Sequence, residues 1–316
     1  MVTHDGYQCY DGGRSGGAVT DFEHPPEVGG GARMRHDSLY LEGLKLHYVR
    51  CGGGDPVVLL HGWPQTWFAW RKVIPLLADR YDVIVPDLRG FGDTSRPLGG
   101  YDKKTVAHDV HELVRHLDLG PVHIVGHDVG GAVAYPFAAL WPEETTSLTF
   151  VESSLPAFGQ EELMDVARGG SWHFGFNMSG DIAEELVRGR ERLLIDYWMR
   201  RSTVGVVDPT AVETDALDQY ERSLRQPGGL RSTFAHYRAL PQDRVDNREL
   251  GRVKLGLPVL AVEGERGQSG HSVATMSKVA ENVSSAVIQA AGHYPAEENP
   301  TQLASVLRAF FAGVQR

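Results

Sequence analysis

Three short runs carry the residues whose types and spacing could do chemistry. In Val125-Gly126-His127-Asp128-Val129-Gly130-Gly131, an aspartate stands between small residues two before and two after it. A strand-like apolar run precedes it and a helical pattern, Ala132–Leu140, follows, with Pro136 inside. Small flanks permit a sharp strand–turn–helix that pushes the central side chain out at the top of a sheet. A carboxylate there, with an ordinary pKa of about 3.9, is ionised at neutral pH and could attack carbon to form an ester. Taken alone, the run also fits a glycine-rich loop with an Asp capping a helix start. Leu60-His61-Gly62-Trp63-Pro64 follows an earlier apolar run. The Trp63 N–H there could form half of an oxyanion hole, with the Val129 N–H as the other half. Ala291-Gly292-His293-Tyr294 follows a late apolar run, where a histidine closes the chain order nucleophile, acid, histidine and could activate water.

Such residues need a sheet to position them. Leu39–Leu41 and Leu44–Val49 read as a hairpin around Glu42-Gly43. Pro56–Leu60, Asp82–Pro86, Val122–Val125, Ser147–Val151, Val259–Val262 and Ser285–Ile288 are short apolar runs of the kind buried parallel strands need. Val106, Val110, Leu113, Val114 and Leu117 recur at helical spacing up to Gly120. Asn299 and Pro300 suit the start of a helix carrying the stripe Leu303, Val306, Leu307, Phe310 and Phe311. Strands alternating with helices predict a mostly parallel sheet with right-handed crossovers and helices on both faces. The alternation breaks at 155–241, which holds helical stretches such as Asp181–Arg200 and no convincing strand. A helical cap over the carboxyl ends of the strands is expected there, with the α/β core formed by 36–154 and 242–316.

Composition narrows the functions. The chain has 316 residues, of which 41% are apolar and 23% charged, as in ordinary globular proteins, and a formal net charge of −10. That balance disfavours a dedicated nucleic-acid binder. No run of 18 apolar residues suggests a membrane span, and Met1–Asp5 lacks the order of a secretory signal. Cys9 and Cys51 cannot make a disulfide framework, and no Cys/His cluster has zinc spacing, so a cytoplasmic protein without metal or cofactor is expected. Residues 1–35, rich in Gly, Asp, Pro and Glu, read as a flexible extension.

Together the three runs resemble the α/β-hydrolase superfamily, in its epoxide hydrolase and dehalogenase branch. That branch carries Asp in the sharp turn, His-Gly-x-Pro after an early strand, and a helical cap. Asp87-Leu88-Arg89-Gly90-Phe91-Gly92-Asp93-Thr94 also resembles its loop after the next strand. The resemblance spans about residues 38–316 and implies Asp128 as nucleophile, His293 as base, and Trp63 and Val129 as the oxyanion hole. The acid commonly follows the strand Val259–Val262, where this chain has Glu263-Gly264-Glu265-Arg266-Gly267, with Gly267 in the expected place. Some dehalogenases carry it after the preceding parallel strand, where Glu152 stands. Glu152 is the expected acid, with Glu265 as the alternative.

Haloalkane dehalogenases follow the nucleophile with Trp, and fluoroacetate dehalogenases place Arg there and three residues on. This chain has Val129 and Ala132. Epoxide hydrolases use a pair of cap tyrosines as proton donors. His236-Tyr237-Arg238-Ala239 resembles one donor segment, and Ser171-Trp172-His173-Phe174 aligns with the other, with His173 where Tyr is expected. The resemblance therefore implies a hydrolase that opens a small apolar epoxide with water, Tyr237 as donor, His173 as auxiliary, and Trp172, Phe174 and Phe176 lining the pocket or cap. The alternatives are a dehalogenase on the same scaffold and a capped binding protein with a vestigial triad. No membrane or nucleic-acid partner is implied, and a homodimer is compatible with it.

Overall fold

The computed structural model describes residues 33–201 and 205–314. Cys9 and most of the expected extension lie outside the described residues. The sheet, however, starts before residue 36: Met34 is buried and Arg35 pairs with Arg50, so these two residues belong to the folded core and not to an extension.

Strand β1 (Arg35–Leu41) turns through Glu42-Gly43 into β2 (Leu44–Gly52). Gly43 has φ +73°, which a two-residue hairpin turn requires and glycine adopts without strain. Then follow β3 (Asp55–Leu60), β4 (Tyr81–Pro86), β5 (Val122–His127), β6 (Thr145–Val151), β7 (Val259–Gly264) and β8 (Val283–Ile288). Their spatial order is β1-β2-β4-β3-β5-β6-β7-β8. β1 and β2 are antiparallel to their neighbours and the other pairings are parallel. The expected strands are all present.

The central strands are covered on both faces, which is why they are apolar at consecutive positions. Successive side chains point to opposite faces. Val58, Leu60, Ile84 and Ile124 pack with the helices Lys103–His116 and Val129–Leu140. Val57, Leu59, Val83 and Val85 pack on the other side with Ile74, Leu77, Leu303, Leu307 and Phe311. Helix Lys103–His116 starts at Asp102, whose side chain accepts from the Thr105 N–H at 2.8 Å. Asn299 caps helix Pro300–Gly313 in the same way.

Between β6 and β7 the described residues form helices and no strand. The stretch Asp181–Arg200 is two helices, Asp181–Val187 and Glu191–Arg200, because the chain turns at Gly189, φ +77°. Helices Thr214–Arg225, Gly229–Arg238 and Leu240–Leu250 follow. The last returns to the sheet side. Its Asp243 binds the Lys103 ammonium at 2.9 Å and the Lys103 N–H at 2.7 Å in a buried pair.

Candidate active site

Three strand ends supply the polar half of the site. Asp128 follows β5 and caps helix Val129–Leu140 with φ 52° and ψ −119°. A non-glycine residue held there is strained and persists only if its surroundings fix it. They do. A Cβ on Gly126 would strike the Gly130 backbone, and one on Gly130 would meet the Leu60 carbonyl at 2.5 Å, so only glycine allows this tight a turn. The Ser153 hydroxyl, which the sequence did not single out, donates to the Asp128 carbonyl at 2.6 Å. The carboxylate is thereby presented to the Trp63 N–H, which donates to Oδ1 at 2.8 Å. The Val129 N–H opens the following helix, where an amide has no acceptor within its own helix.

Glu152 follows β6, also at positive φ, 44°. Its carboxylate is fully buried and accepts from the Gly264 N–H at 2.8 Å and the Gln268 N–H at 3.0 Å. His293 follows β8. Its Nδ1 lies 3.2 Å from Glu152 Oε2, and its Nε2 lies 3.6 Å from Asp128 Oδ2. Glu152 and Glu265 therefore differ sharply. Glu265 is exposed and accepts from the Ala290 N–H at 3.0 Å. The Gly267 position also has a physical explanation. A Cβ there would run into the Glu152 carboxylate, so the acid from β6 fills the space that a side chain after β7 would need.

The electrostatics follow from this contact. Burial alone would raise the Asp128 pKa, but the His293 hydrogen bond and charge, with the Trp63 amide, bring it below the usual carboxylate range. Burial lowers the His293 pKa, but hydrogen bonds to Asp128 and Glu152 and their charges outweigh it and raise the pKa to about 10. His127 is a further residue the sequence did not flag. Its Nε2–H donates to the His293 carbonyl at 2.7 Å, tying the two loops together. Burial, helped by His293, lowers its pKa to about 3 and keeps it neutral. His61 likewise is a brace: its Nδ1–H donates to the Gly62 carbonyl and its Nε2 accepts from the Leu88 N–H. Asp87 accepts from the Trp67 and Asp93 amides at 2.8 and 2.9 Å.

Helices between β6 and β7 supply the aromatic half. A cavity of about 550 Å³ is lined by Asp128, Trp63, His173, Phe174, Trp198 and Tyr237, among others. Val129, Glu152, Trp172 and His293 also reach it. Phe176 does not; it packs on Trp172 and Phe234. The Trp63 ring stacks on His173 at 6.1 Å and 16°, and meets Tyr237 edge-on at 5.5 Å. Helix Gly229–Arg238 is fixed to the loop after β4: His236 Nε2–H donates to the Arg89 carbonyl at 2.9 Å and the Ser232 hydroxyl to the Gly90 carbonyl at 2.8 Å. These contacts set the height of Tyr237 above the sheet. Burial first, and the Asp128 charge second, push the Tyr237 phenol well above its ordinary pKa. Burial lowers His173 to about 4. Both side chains are thus neutral at neutral pH.

Among the described residues one set, His47, Asp87 and Asp93, brings metal-ligand atoms within 4.8 Å of one another. It lies outside the cavity lining, and its groups are engaged: His47 with Asp87 at 2.7 Å and Asp93 with Arg222 at 2.9 Å. It braces the loop after β4.

A mostly parallel sheet with a strained Asp, a buried Glu and a His after β5, β6 and β8 defines a hydrolase of the α/β class. The sequence pattern of the alpha/beta hydrolase fold matches residues 55–300, and the chain belongs to that family. It is 34% identical over 282 residues to a soluble epoxide hydrolase of Corynebacterium sp. (strain C12), covering 88% of this chain and 98% of that protein. It is 30% identical over 284 residues to a fluoroacetate dehalogenase of Burkholderia sp., covering 85% and 91%. The solved structure of the epoxide hydrolase CorEH matches with a TM-score of 0.82 at 33% identity, covering 90% of this chain and 100% of that one. Among the described residues no helix is long and apolar enough to cross a membrane.

Proposed function

We propose that this enzyme opens a small apolar epoxide to a vicinal diol through an ester on Asp128. The observation that carries this reading is the pairing of neutral Tyr237 and His173 across the cavity from Asp128, with Val129 and Ala132 beside the carboxylate. Those two small side chains offer neither an indole N–H for a halide nor a guanidinium for a substrate carboxylate. The relation to an epoxide hydrolase along nearly the whole chain supports the same reading.

In this scheme residues 155–241 act as a cap over the sheet and its flanking helices. Trp172 and Phe174 contact the substrate. The Asp128 carboxylate attacks an epoxide carbon, the C–O bond breaks, and the ring oxygen takes the Tyr237 proton. The resulting phenolate recovers a proton from the His293 imidazolium. Esterification has removed the Asp128 charge that helped hold His293 protonated, so the ring can now act as a base. It takes a proton from water, and the hydroxide adds to the ester carbonyl. The Trp63 and Val129 amides hold the oxyanion. Collapse releases the diol and restores the carboxylate beside an imidazolium oriented by Glu152. Water is the only co-substrate, no cofactor takes part, and we assign the reaction to the cytoplasm.

Multiple turnovers of styrene oxide in ¹⁸O-labelled water test the reading. The label should enter the peptide that holds Asp128, because water attacks that residue's own carbonyl. Label confined to the product would exclude the ester. The relation to a fluoroacetate dehalogenase favours a second reading on the same residues. Release of chloride or fluoride from haloalkanes or haloacids, with no epoxide opened, would establish it instead.

A further inference from the structure

His173 stands where the helical segment meets the cavity, and its ring is held on several sides. Trp63 stacks on one face, Trp198 meets it edge-on at 4.8 Å and 70°, and Tyr237 at 5.5 Å and 84°. Those contacts fix the plane of the ring but not the position of its proton. A neutral imidazole has one N–H and one lone pair. With the proton on Nδ1, the other nitrogen would present a lone pair to an oxygen gaining negative charge. With the proton on Nε2, that nitrogen is a donor.

The Nδ1 atom lies 2.6 Å from the Ser171 hydroxyl oxygen. Among the described residues, this is the one partner that hydroxyl meets. Ser171 is itself anchored: its N–H donates to the Leu163 carbonyl at 2.7 Å, and Gly170 packs so closely that a Cβ there would meet the same carbonyl at 2.6 Å. A hydroxyl can donate to Nδ1 or accept from it; it donates only when the proton sits on Nε2, the arrangement that leaves an N–H for the oxygen.

We propose that Ser171 is a positioning residue: its hydroxyl donates to His173 Nδ1 and fixes the ring as the Nε2–H tautomer, so that His173 offers an N–H to the epoxide oxygen beside the Tyr237 hydroxyl. Tyr237 gives up the proton to the opening ring, and His173 keeps its own while hydrogen-bonding the same oxygen. This inference rests on the epoxide-opening reading for its kinetic part and is independent of it for the tautomer.

The experiment uses the full chain labelled with ¹⁵N-histidine, with His173→Phe to assign the ring. In the parent, Nε2 should carry the proton and Nδ1 should resonate in the range of a nitrogen that accepts a hydrogen bond. Ser171→Ala should move Nδ1 to the unbonded range, and Ser171→Thr should restore it. A proton on Nδ1 in the parent, or an unchanged Nδ1 signal in Ser171→Ala, overturns the proposal. In single-turnover kinetics with styrene oxide, Ser171→Ala should slow esterification about three- to tenfold, the usual worth of one neutral hydrogen bond. Hydrolysis of the formed ester should be unchanged, and Ser171→Thr should recover the rate. In a His173→Phe background Ser171→Ala should have no further effect, and an equal loss there overturns the proposal. A parent that opens no epoxide refutes the epoxide reading, and the ¹⁵N signals then decide the tautomer alone.

Discussion

The two halves of the site are built differently. The strand-end half, Asp128, Glu152, His293 and the Trp63 amide, is set by backbone. Two of its residues sit at positive φ, the Glu152 carboxylate is held by two amides, and glycines keep side chains out of the spaces between them. The helical half, His173 and Tyr237, is set by rings packed on rings and by a helix pinned to the loop after β4. A backbone-set residue has nearly one arrangement available. A ring in an aromatic cluster can be replaced by another ring of similar size, so this half can change its chemistry while keeping its shape. Substitutions should therefore be close to all-or-none in the first half and graded in the second.

The largest effects are expected where a group has no substitute. Asp128→Ala should form no adduct with an epoxide. His293→Gln should still form the ester but hydrolyse it about 10²–10⁴-fold more slowly, the usual share of a positioned base, so the intermediate accumulates and intact-protein mass shows it. An adduct in Asp128→Ala would end the comparison at once. Glu152→Gln should come next, with a large loss of turnover, whereas Glu265→Gln should stay within about twofold, as exposed substitutions do. Equal or reversed losses for that pair would move the acid to Glu265.

The strand-end half also predicts its own titration. Its two carboxylates, against the opposing effect of burial, hold the His293 pKa near 10, above its ordinary value. A pKa raised in the fold stabilises it fully below the unfolded value of about 6.5, and that contribution is lost as pH rises through 10. Asp128→Asn removes one of the charges and should lower the His293 pKa, as read by NMR of the ring protons. A His293 that titrates no lower in the variant would mean that esterification cannot release it as a base.

The same contrast explains what the sequence could tell. The central strands were legible because burial on both faces demands apolar runs, and the sharp turn because Gly126 and Gly130 leave space nothing else can occupy. The place of Glu152 beside His293 was foreshadowed by Gly267, whose missing side chain leaves the space that the Glu152 carboxylate fills. His127 and Ser153 were not, because their roles lie in bonds to the carbonyls of His293 and Asp128, and no spacing of residue types marks a backbone acceptor. Ser171 was missed as a partner of His173 for a similar reason: a serine two residues away is common, and only the turn at Gly169-Gly170 brings it to 2.6 Å. The helical character of Asp181–Arg200 was legible but its break at Gly189 was not, because amphipathic spacing survives one glycine.

The helical half supplies the graded tests. Tyr237→Phe keeps the ring and removes the hydroxyl, so the pocket shape stays and the proton donor goes. An alkoxide forming in an apolar pocket is costly when unmatched. Esterification by an epoxide should slow about 10²-fold, the lower end of what a positioned proton donor contributes, while hydrolysis of a formed ester should change little. The smaller effect of the two belongs to His173. Its pKa of about 4 leaves it uncharged at neutral pH, so it contributes a hydrogen bond and no proton. His173→Phe should therefore cost less than Tyr237→Phe in the same single-turnover measurement. His173→Tyr puts a second phenol, protonated at neutral pH, where the ring packs between Trp63 and Trp198, and should retain or improve epoxide opening. If His173→Phe is the more damaging change, the proton comes from the histidine and the two donors exchange roles. If His173→Tyr abolishes opening, the aromatic cluster is as unforgiving as the strand ends, and the contrast between the two halves is wrong.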